Sequence, residues 1–478
     1  FNISIMSSGI WIHNTKLLYV IILMHAYLNV VKSNPDSDEV VSLPGQPPVS
    51  FKQYAGYITV DEAKERSLFY YFVEAESDPS SKPLVLWFNG GPGCSSVGAG
   101  AFMEHGPFKP SGNVLLKNDF SWNKEANMLY LEAPVGVGFS YTVEKTVVND
   151  VTTAGDNLAF LEKWLEKYPE YQNRDFYITG ESYGGHYVPE LATLVVHSKP
   201  KINLQGIAIG NPLLEFDTDF NSRGEYLWSH GLISDASYDL LNKVCNFSTI
   251  RRQYNFKSLT PTCSHVDDHA LNEIGEFVNY YDVTLDVCLS TVLSQSQVLK
   301  HNQHLDKKVD VCVEEETVKY LNREDVQTAL HARLEGVNKW TICSETVNYD
   351  MKSMEEPMTP VLVSLLNSGI KIFIYSGDQD SVLPLTGTRV VVNGVANQLG
   401  LKPTLPYRAW FSGNQVGGWT QVFGDVLSFA TIRGAAHEAP FSQPERSLAL
   451  FRGMLSGKPL PSAEEVDLKT KTNPSSLD

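Results

Sequence analysis

Short apolar segments that end in glycine, proline, asparagine or aspartate recur along the chain. They have the length of strands and little polar alternation, which is typical of a parallel sheet covered on both faces. The predicted strands are residues 84–89, 128–131, 176–179, 207–209, 370–375 and 427–432.

The segments between these strands have the spacing of helices. Leucines recurring at helical intervals predict a helix over residues 157–165, and residues 188–196 predict another with Pro189 in its first turn. Residues 56–60 and 68–73 predict an antiparallel hairpin at the edge of the sheet. Alternating strands and helices therefore predict an α/β fold with a mainly parallel central sheet.

The strand pattern weakens over residues 216–345, which contain five of the six cysteines. We predict that this region is a disulfide-tied cap inserted into the core, because loops of α/β folds tolerate insertions. The α/β core would then comprise residues 40–215 and 346–460, and residues 461–478 would form a flexible tail.

The N-terminal segment has the pattern of a secretory signal peptide. Lys16 precedes an apolar run over residues 17–31, which is short for a membrane span. His25 and Asn29 interrupt this run and disfavour the alternative of a membrane anchor. We therefore expect residues 1–33 to be removed and the protein to be secreted or lumenal, without a membrane contact.

Composition and charge narrow the classes of function. The chain has 478 residues, of which 42% are hydrophobic, so a large core can form. Lys and Arg number 38 against 55 Asp and Glu, and the net charge of −17 argues against nucleic-acid partners.

The cysteines and one sequon agree with a secretory route. Six cysteines form an even set without a C-x-x-C pair, which favours three disulfides over a zinc ribbon. Sequence spacing alone does not choose among their pairings. Asn246, followed by Phe247 and Ser248, is an expected glycosylation site.

A serine motif stands where a strand is predicted to turn into a helix. Residues 180–184 read G-E-S-Y-G, between the strand at 176–179 and the helix at 188–196. A nucleophile elbow has this context, in which a tight turn exposes the serine hydroxyl at a helix N-terminus. We therefore expect Ser182 to be a nucleophile.

A serine nucleophile needs a base and a carboxylate, which follow it in α/β hydrolases in the order Ser, Asp or Glu, His. Asp378 and Asp380 directly follow one predicted strand, and His437 lies in a loop of small residues after another. Residues 89–96 read N-G-G-P-G-C-S-S after a third strand and can supply a backbone donor to an oxyanion. Nothing in these motifs calls for a metal.

Taken together, these motifs resemble those of the serine carboxypeptidase family, in the style of its plant members. The similarity spans about residues 40–460 and implies an α/β-hydrolase fold. It implies an enzyme that removes C-terminal amino acids from peptides and proteins without a cofactor or metal. The matching blocks are residues 87–96, 127–141, 180–185, 375–384 and 434–440.

The resemblance also implies a role for each matching residue of the reaction centre. Ser182, Asp380 and His437 would form a catalytic triad. The N–H groups of Gly91 and Tyr183 would form the oxyanion hole.

A second implied group would hold the terminal carboxylate of the substrate. Its members are Asn89, Gly90, Glu181 and Glu438, with Glu104 as a partner of Glu181. Carboxyl groups can bind a carboxylate if they keep their protons and donate hydrogen bonds, as crowded carboxyls do. We therefore expect activity at acidic pH, in the vacuole or the apoplast.

The resemblance further implies the disulfides Cys94–Cys343, Cys245–Cys263 and Cys288–Cys312. Some relatives lose a linker such as residues 289–311 by proteolysis. The sequence does not choose between two alternatives for this linker: cleavage with the fragments tethered by Cys288–Cys312, or an intact surface loop. It also does not choose between a monomer and a homodimer.

Two other functions are weighed against the peptidase. A serine carboxypeptidase-like acyltransferase would use the same triad on activated esters such as glucose esters. Relatives of that kind tend to alter the residues that are Asn89 and Glu181 here, whereas both match the peptidase pattern. A catalytically silent binding protein is disfavoured by the complete set of triad residues.

Overall fold

The computed structural model describes most of the chain but not the predicted signal peptide, most of the 289–311 linker or most of the predicted tail. None of the helices it describes is both long enough and apolar enough to cross a membrane. The described residues are 35–143, 147–199, 201–288, 309–336 and 338–466.

Strands numbered along the chain build one large sheet and two small ones. Their bounds are β1 Gln53–Asp61, β2 Arg66–Val73, β3 Leu84–Phe88, β4 Phe108–Ser111, β5 Val114–Lys117, β6 Asn127–Leu131, β7 Val147–Val148, β8 Phe176–Glu181, β9 Leu204–Gly210, β10 Asn348–Tyr349, β11 Lys371–Gly377, β12 Pro403–Ser412, β13 Gln415–Phe423 and β14 Leu427–Ile432. The large sheet has the order β1-β2-β6-β3-β8-β9-β11-β14-β13-β12, while β4 pairs with β5 and β7 with β10.

The centre of the large sheet is parallel and its edges are antiparallel. Strands β6, β3, β8, β9, β11 and β14 run parallel, and each of them overlaps a predicted strand to within one or a few residues at its ends. The predicted hairpin is β1–β2 at one edge. These predictions are confirmed, whereas the antiparallel pairs that β13 forms with β12 and β14 were not anticipated.

Helices flank the sheet and link its strands. They are α1 Asp150–Lys167, α2 Gly184–His197, α3 Phe216–Ser229, α4 Asp235–Lys243, α5 Phe247–Asn255, α6 Pro261–Ile274, α7 Val313–Leu321, α8 Glu324–Ala329, α9 Thr359–Asn367, α10 Leu385–Gln398, α11 Ala439–Ser442 and α12 Pro444–Ser456, together with a π-helix at Ser96–Glu104 and 3₁₀ turns at Pro35–Asp38, Trp122–Lys124, Pro169–Tyr171 and Ser353–Glu355. The helix expected over residues 188–196 begins earlier, at Gly184, so the prediction that Pro189 lies in its first turn is wrong. The turn at Ser182 is so tight that the helix begins two residues later, at Gly184.

Side chains of the central strand β3 alternate between two apolar clusters. Leu84, Leu86 and Phe88 of β3 belong to the cluster that also contains α1 and α2 side chains. Val85 and Trp87 belong to the cluster on the opposite face. Because both faces are covered, these strands are apolar throughout, which is why they could be predicted.

The predicted cap region is helical where it is described, and its C-terminal part adds to the core. Helices α3 to α8 lie in it, and Tyr320, Leu330 and Trp340 pack into the same cluster as Trp87. The disulfides are Cys94–Cys343, Cys245–Cys263 and Cys288–Cys312, the pairs that the resemblance implies.

Candidate active site

The turn between β8 and α2 holds Ser182 in a conformation that few residues adopt. Its φ is +58°, in the left-handed region, and its side chain is only partly buried. Backbone hydrogen bonds fix the turn, from Ser182 N to Gly210 O at 3.0 Å and from Gly185 N to Ser182 O at 2.9 Å. A side chain at Gly185 would lie 2.2 Å from Leu213 O, so the elbow requires glycine there.

The glycine-rich loop after β3 lies directly against this turn. A Cβ atom at Gly90 would lie 2.3 Å from Tyr183 N and 2.8 Å from Ser182 Cβ. Gly91 has φ +112°, which side-chain-bearing residues rarely adopt. The loop therefore brings the backbone of Gly90, which precedes the expected oxyanion donor Gly91, beside the serine.

Asp380 and His437 form a buried hydrogen-bonded pair. His437 Nδ1 lies 2.8 Å from Asp380 Oδ2, and the exposed fractions are 2% and 0%. The backbone N–H groups of Val382 and Leu383 donate to Asp380 Oδ1 at 2.7 and 3.3 Å. The pair is thus fixed on one side by the backbone that follows β11.

Electrostatics favour a His437 that can gain a proton. Burial acts to lower the pKa of His437, but the adjacent Asp380 carboxylate and Glu438 raise it above the ordinary 6.5. The Ser182 hydroxyl has no hydrogen-bond partner within 3.5 Å in the described residues. Hydrogen bonds between a nucleophile and its base are often long before substrate binds.

The neighbouring carboxylate, Asp378, has a different position. Its Oδ1 accepts from Gly434 N at 2.6 Å and from Gln379 Nε2 at 3.0 Å. Asp378 therefore holds the loop that leads to His437, while Asp380 contacts the imidazole itself.

The residues expected to bind a carboxylate form a buried network. Trp87 Nε1 donates to Asn89 Oδ1 at 2.7 Å, which orients the amide. Asn89 Nδ2 then donates to Glu104 Oε1 and to Glu181 Oε1, each at 2.8 Å. The other oxygen of each carboxyl, Oε2, is buried and has no hydrogen-bond donor in the described part of the chain.

Burial keeps protons on this network. It raises the pKa of Glu104 to about 7, although the hydrogen bond from Asn89 opposes the rise. The pKa of Glu181 is raised well above 4.5, first by burial and then by the charges of Glu104 and Glu438. Burial is the largest cause of both shifts, so both carboxyls favour the protonated form.

Glu438 and Lys109 complete the charges around this network. Burial and the charge of Glu104 raise the pKa of Glu438 to about 8, and its carboxyl has no hydrogen bond in the described residues. Burial lowers the pKa of Lys109 to about 8, against the effect of Glu104, Asp310 and Glu438. Lys109 was not predicted, because no local motif marks a lysine on β4 as part of a site formed elsewhere.

Sequence reasoning also missed two residues that support the site. Asn211 follows β9 and donates to Asp380 Oδ2 at 2.9 Å, and its position after a central strand was a usable signal. Asp150, the first residue of α1, accepts from the Tyr183 hydroxyl at 3.0 Å and from the Tyr349 hydroxyl. No sequence signal connects Asp150 to Tyr183, since their contact depends on how α1 packs against α2.

Among the described residues, Asp150, His186 and Glu190 have potential metal-ligand atoms within 4.8 Å of one another. His186 Nδ1 is hydrogen-bonded to Asp150 Oδ2 at 2.9 Å, and the Tyr183 ring stacks on the imidazole at 4.6 Å. Because tyrosine hydroxyls and the imidazole already use the Asp150 oxygens, the group serves to hold the side chain of Tyr183.

Asn246, the predicted glycosylation site, lies at the surface. It caps the N-terminus of α5, where its Oδ1 accepts from Thr249 N at 2.9 Å. Cys245, beside it, forms its disulfide with Cys263.

Comparison with known proteins identifies relatives along almost the whole chain. The model of the family described as serine carboxypeptidase matches residues 44–457. Serine carboxypeptidase-like 45 of Arabidopsis thaliana is 58% identical over 449 residues, which cover 93% of this chain and 97% of that protein. Serine carboxypeptidase 24 of the same plant is 42% identical over 447 residues, covering 89% and 93%.

A solved structure supports the fold. Kex1(delta)p, a prohormone-processing carboxypeptidase from Saccharomyces cerevisiae, superposes with a TM-score of 0.71 and 21% identity. The match covers 89% of this chain and 96% of that one. The predicted α/β-hydrolase fold is thereby confirmed.

Proposed function

The chain belongs to the serine carboxypeptidase family of serine-type hydrolases, and we propose that it releases C-terminal amino acids from peptides and proteins at acidic pH. The substrate would be the free C-terminus of a polypeptide. The reaction would pass through an acyl-enzyme on Ser182.

In this proposal Ser182 Oγ attacks the carbonyl carbon of the last peptide bond while His437 accepts its proton. Asp380 holds His437 in position and stabilises the imidazolium, and the N–H groups of Gly91 and Tyr183 donate to the oxyanion. His437 then protonates the leaving amino acid. Water, activated by His437, attacks the acyl-enzyme and frees the shortened peptide and Ser182.

The observation that carries the proposal is the bridge that Asn89 makes between Glu104 and Glu181, at 2.8 Å on each side. Asn89 directly precedes Gly90, whose backbone packs against Ser182. Protonated carboxyls at this place can donate to the substrate carboxylate, and this would position the last peptide bond at the serine. The raised pKa of Glu181 and of Glu438 supports the same role and favours an acidic compartment.

The secretory route is part of the proposal. Three disulfides and a surface sequon at Asn246 suit a protein that folds in an oxidising compartment. We therefore place the enzyme in the vacuole or the apoplast, where the pH is low.

Blocked dipeptides test the proposal when each is compared with its C-terminal amide. The acid should be cleaved and the amide should be a poor substrate, because only the acid offers a carboxylate to Glu181 and its neighbours. Ser182→Ala should keep its fold but lose cleavage activity by about 10⁴-fold or more. The same variant should no longer be labelled by a fluorophosphonate. Equal cleavage of acid and amide would contradict the proposal.

A glucose ester supplied with an acceptor tests the alternative reaction. Formation of the transferred ester, without cleavage of any dipeptide, would show an acyltransferase. Absence of labelling, cleavage and transfer would show a silent binding protein.

A further inference from the structure

Two arginine side chains line one open cavity in the predicted cap region. Arg223 lies on α3 and Arg251 on α5, and the cavity has a volume of about 230 Å³. Its other walls are mostly apolar or aromatic, among them Phe247, Ile250 and Tyr280.

Neither guanidinium has a carboxylate within 4 Å in the described residues. Arg223 donates from Nε to Ser381 O at 3.0 Å and stacks on Phe247 at 4.7 Å. Arg251 stacks on Phe220 at 5.6 Å, and its Nε is buried without an acceptor.

The next residue along α5 shows a different arrangement. Arg252 forms ion pairs with Glu355 at 2.9 Å and Asp217 at 3.4 Å. Among the described residues, carboxylates pair with Arg252 and none pairs with Arg251. Since a positive charge with a buried, unpaired N–H group is costly, this contrast points to a ligand of Arg251.

The charge balance of the cavity is positive. Asp267 is the carboxylate among its lining residues, and its Oδ2 accepts from the Tyr254 hydroxyl at 3.0 Å. Burial lowers the pKa of Arg223, and the neighbouring Arg251 lowers it further, as expected of two positive charges in one poorly solvated place. Two guanidiniums and one carboxylate thus line the cavity, while the charge of Asp380, outside the lining, also acts on Arg223.

We propose that this cavity binds a carboxylate through Arg223 and Arg251. The planar guanidinium matches the geometry of a carboxylate, and the apolar walls suit an organic acid better than a hydrated inorganic anion. Two sources can supply this group: an acidic side chain near the C-terminus of the substrate, or a free small organic acid. The first source rests on the proposed peptidase function, and the second does not.

The cavity shares a wall with the candidate active site. Tyr280 lines the cavity, and its carbonyl oxygen accepts from Ser381 Oγ at 2.7 Å, next to Asp380. The following residue, Tyr281, accepts at its carbonyl from His437 N at 2.8 Å and packs its ring edge on the imidazole at 5.1 Å. A carboxylate in the cavity would therefore contact the segment that covers His437.

Calorimetric titration with glutarate tests the binding site directly, without any need for turnover. The full-length protein is compared with Arg251→Gln and with the matched control Arg252→Gln, which removes the same charge from the same helix. Arg251→Gln should weaken binding by about tenfold or more, as expected for a charged hydrogen bond, and Arg252→Gln should not. Circular dichroism checks the fold, and Arg251→Lys, which keeps the charge but not the planar group, should bind with intermediate affinity.

Cleavage of paired peptides identifies the source. Two peptides are compared that differ only in having Glu or Gln before the C-terminal residue. The measured quantity is the kcat/KM of the Glu peptide divided by that of the Gln peptide. If that ratio falls about tenfold in Arg251→Gln and stays unchanged in Arg252→Gln, the ligand is a substrate side chain. If the ratio is unchanged while glutarate binding is lost, the ligand is a free organic acid.

Two further outcomes separate this inference from the proposed function. If glutarate binding depends on Arg251 but the protein cleaves no peptide, the proposed peptidase function is wrong and the proposed carboxylate site is supported. Equal glutarate affinity and equal ratios in the wild type and Arg251→Gln would overturn the binding site.

Discussion

The side-chain amide of Asn211 donates to Asp380 Oδ2 at 2.9 Å, the same oxygen that lies 2.8 Å from His437 Nδ1. Asn211 Oδ1 in turn accepts from Gly377 N at 3.1 Å, which fixes the amide orientation. Asn211 therefore positions the carboxylate that positions the imidazole.

Replacing Asn211 should slow the reaction without preventing substrate binding. Glycine is the suitable replacement, since Asn211 has φ +42° and glycine adopts that conformation without strain. We expect Asn211→Gly to lower kcat by about tenfold with little change in KM, as for a lost hydrogen bond to a charged group. Asn414→Gly, at an exposed asparagine between β12 and β13, is the control. An unchanged kcat would show that the backbone alone fixes Asp380.

The two carboxylates after β11 should differ sharply when each is changed to an amide. Asp380→Asn should reduce kcat by about 10⁴-fold, because the amide no longer stabilises the correct tautomer of His437. Asp378→Asn should be much milder and act mainly on thermal stability, since Asp378 bonds the backbone of Gly434. The reverse ranking in steady-state kinetics would reassign the acid of the triad.

The pH dependence of KM should follow the carboxyl network. Because the pKa of Glu181 is raised, it donates a hydrogen bond at acidic pH and loses that proton as the pH rises. KM for a peptide acid should therefore increase towards alkaline pH, and Glu181→Gln, which keeps a neutral donor, should flatten the increase. The peptide amide serves as control. Parallel KM profiles for the acid and the amide would contradict this explanation.

Thermal stability should decline as the pH rises through neutrality. Burial raises the pKa of Glu132 from 4.5 to about 7, so the folded chain binds more protons than the unfolded chain between these values. The free energy of unfolding from this group is highest below the lower pKa and falls as the pH passes the upper one. The melting temperature should be higher at about pH 5 than at about pH 8, and Glu132→Gln should reduce that difference.

Scanning calorimetry measures this effect, with the exposed Glu62→Gln as control. Glu132 accepts from Phe139 N at 2.6 Å and from the Ser95 hydroxyl, so its replacement also lowers stability at every pH. The slope with pH is therefore the relevant readout. A slope that Glu132→Gln leaves unchanged would assign it to other groups, such as Glu104 and Glu438.

A cut in the linker between Cys288 and Cys312 should leave two fragments that remain joined. The disulfide between these cysteines spans the linker, so limited proteolysis within residues 289–308 should give one band without reductant and two with it. Gel electrophoresis under both conditions measures this. Separate bands without reductant would show that the pair is not formed in the protein.

The sequence by itself determined the central sheet and supplied the motifs from which the reacting groups are proposed. Buried parallel strands are apolar throughout, so strands such as β3 and β8 are visible in the sequence. The G-E-S-Y-G turn, the glycine-rich loop and the order of serine, aspartate and histidine depend on local geometry that only certain residues permit. Such features can be recognised in a sequence without knowing which distant residues are in contact.

The edge formed by β12 and β13 was not visible in the same way. Many of its residues are exposed or partly exposed, as Tyr407 and Trp419 are, and its buried positions do not form a regular apolar pattern. The start of α2 at Gly184 was also misplaced, because the helical pattern becomes clear only after the turn.

Only the tertiary structure decided which distant residues meet at the site. Asn211 and Asp150 support the site from other elements, and Nε of Arg251 has no acceptor in the described part of the chain. These relationships depend on the packing of strands and helices far apart in the chain. Burial then sets the pKa of Glu104, Glu181 and Glu438, a property that a residue does not have until the fold surrounds it.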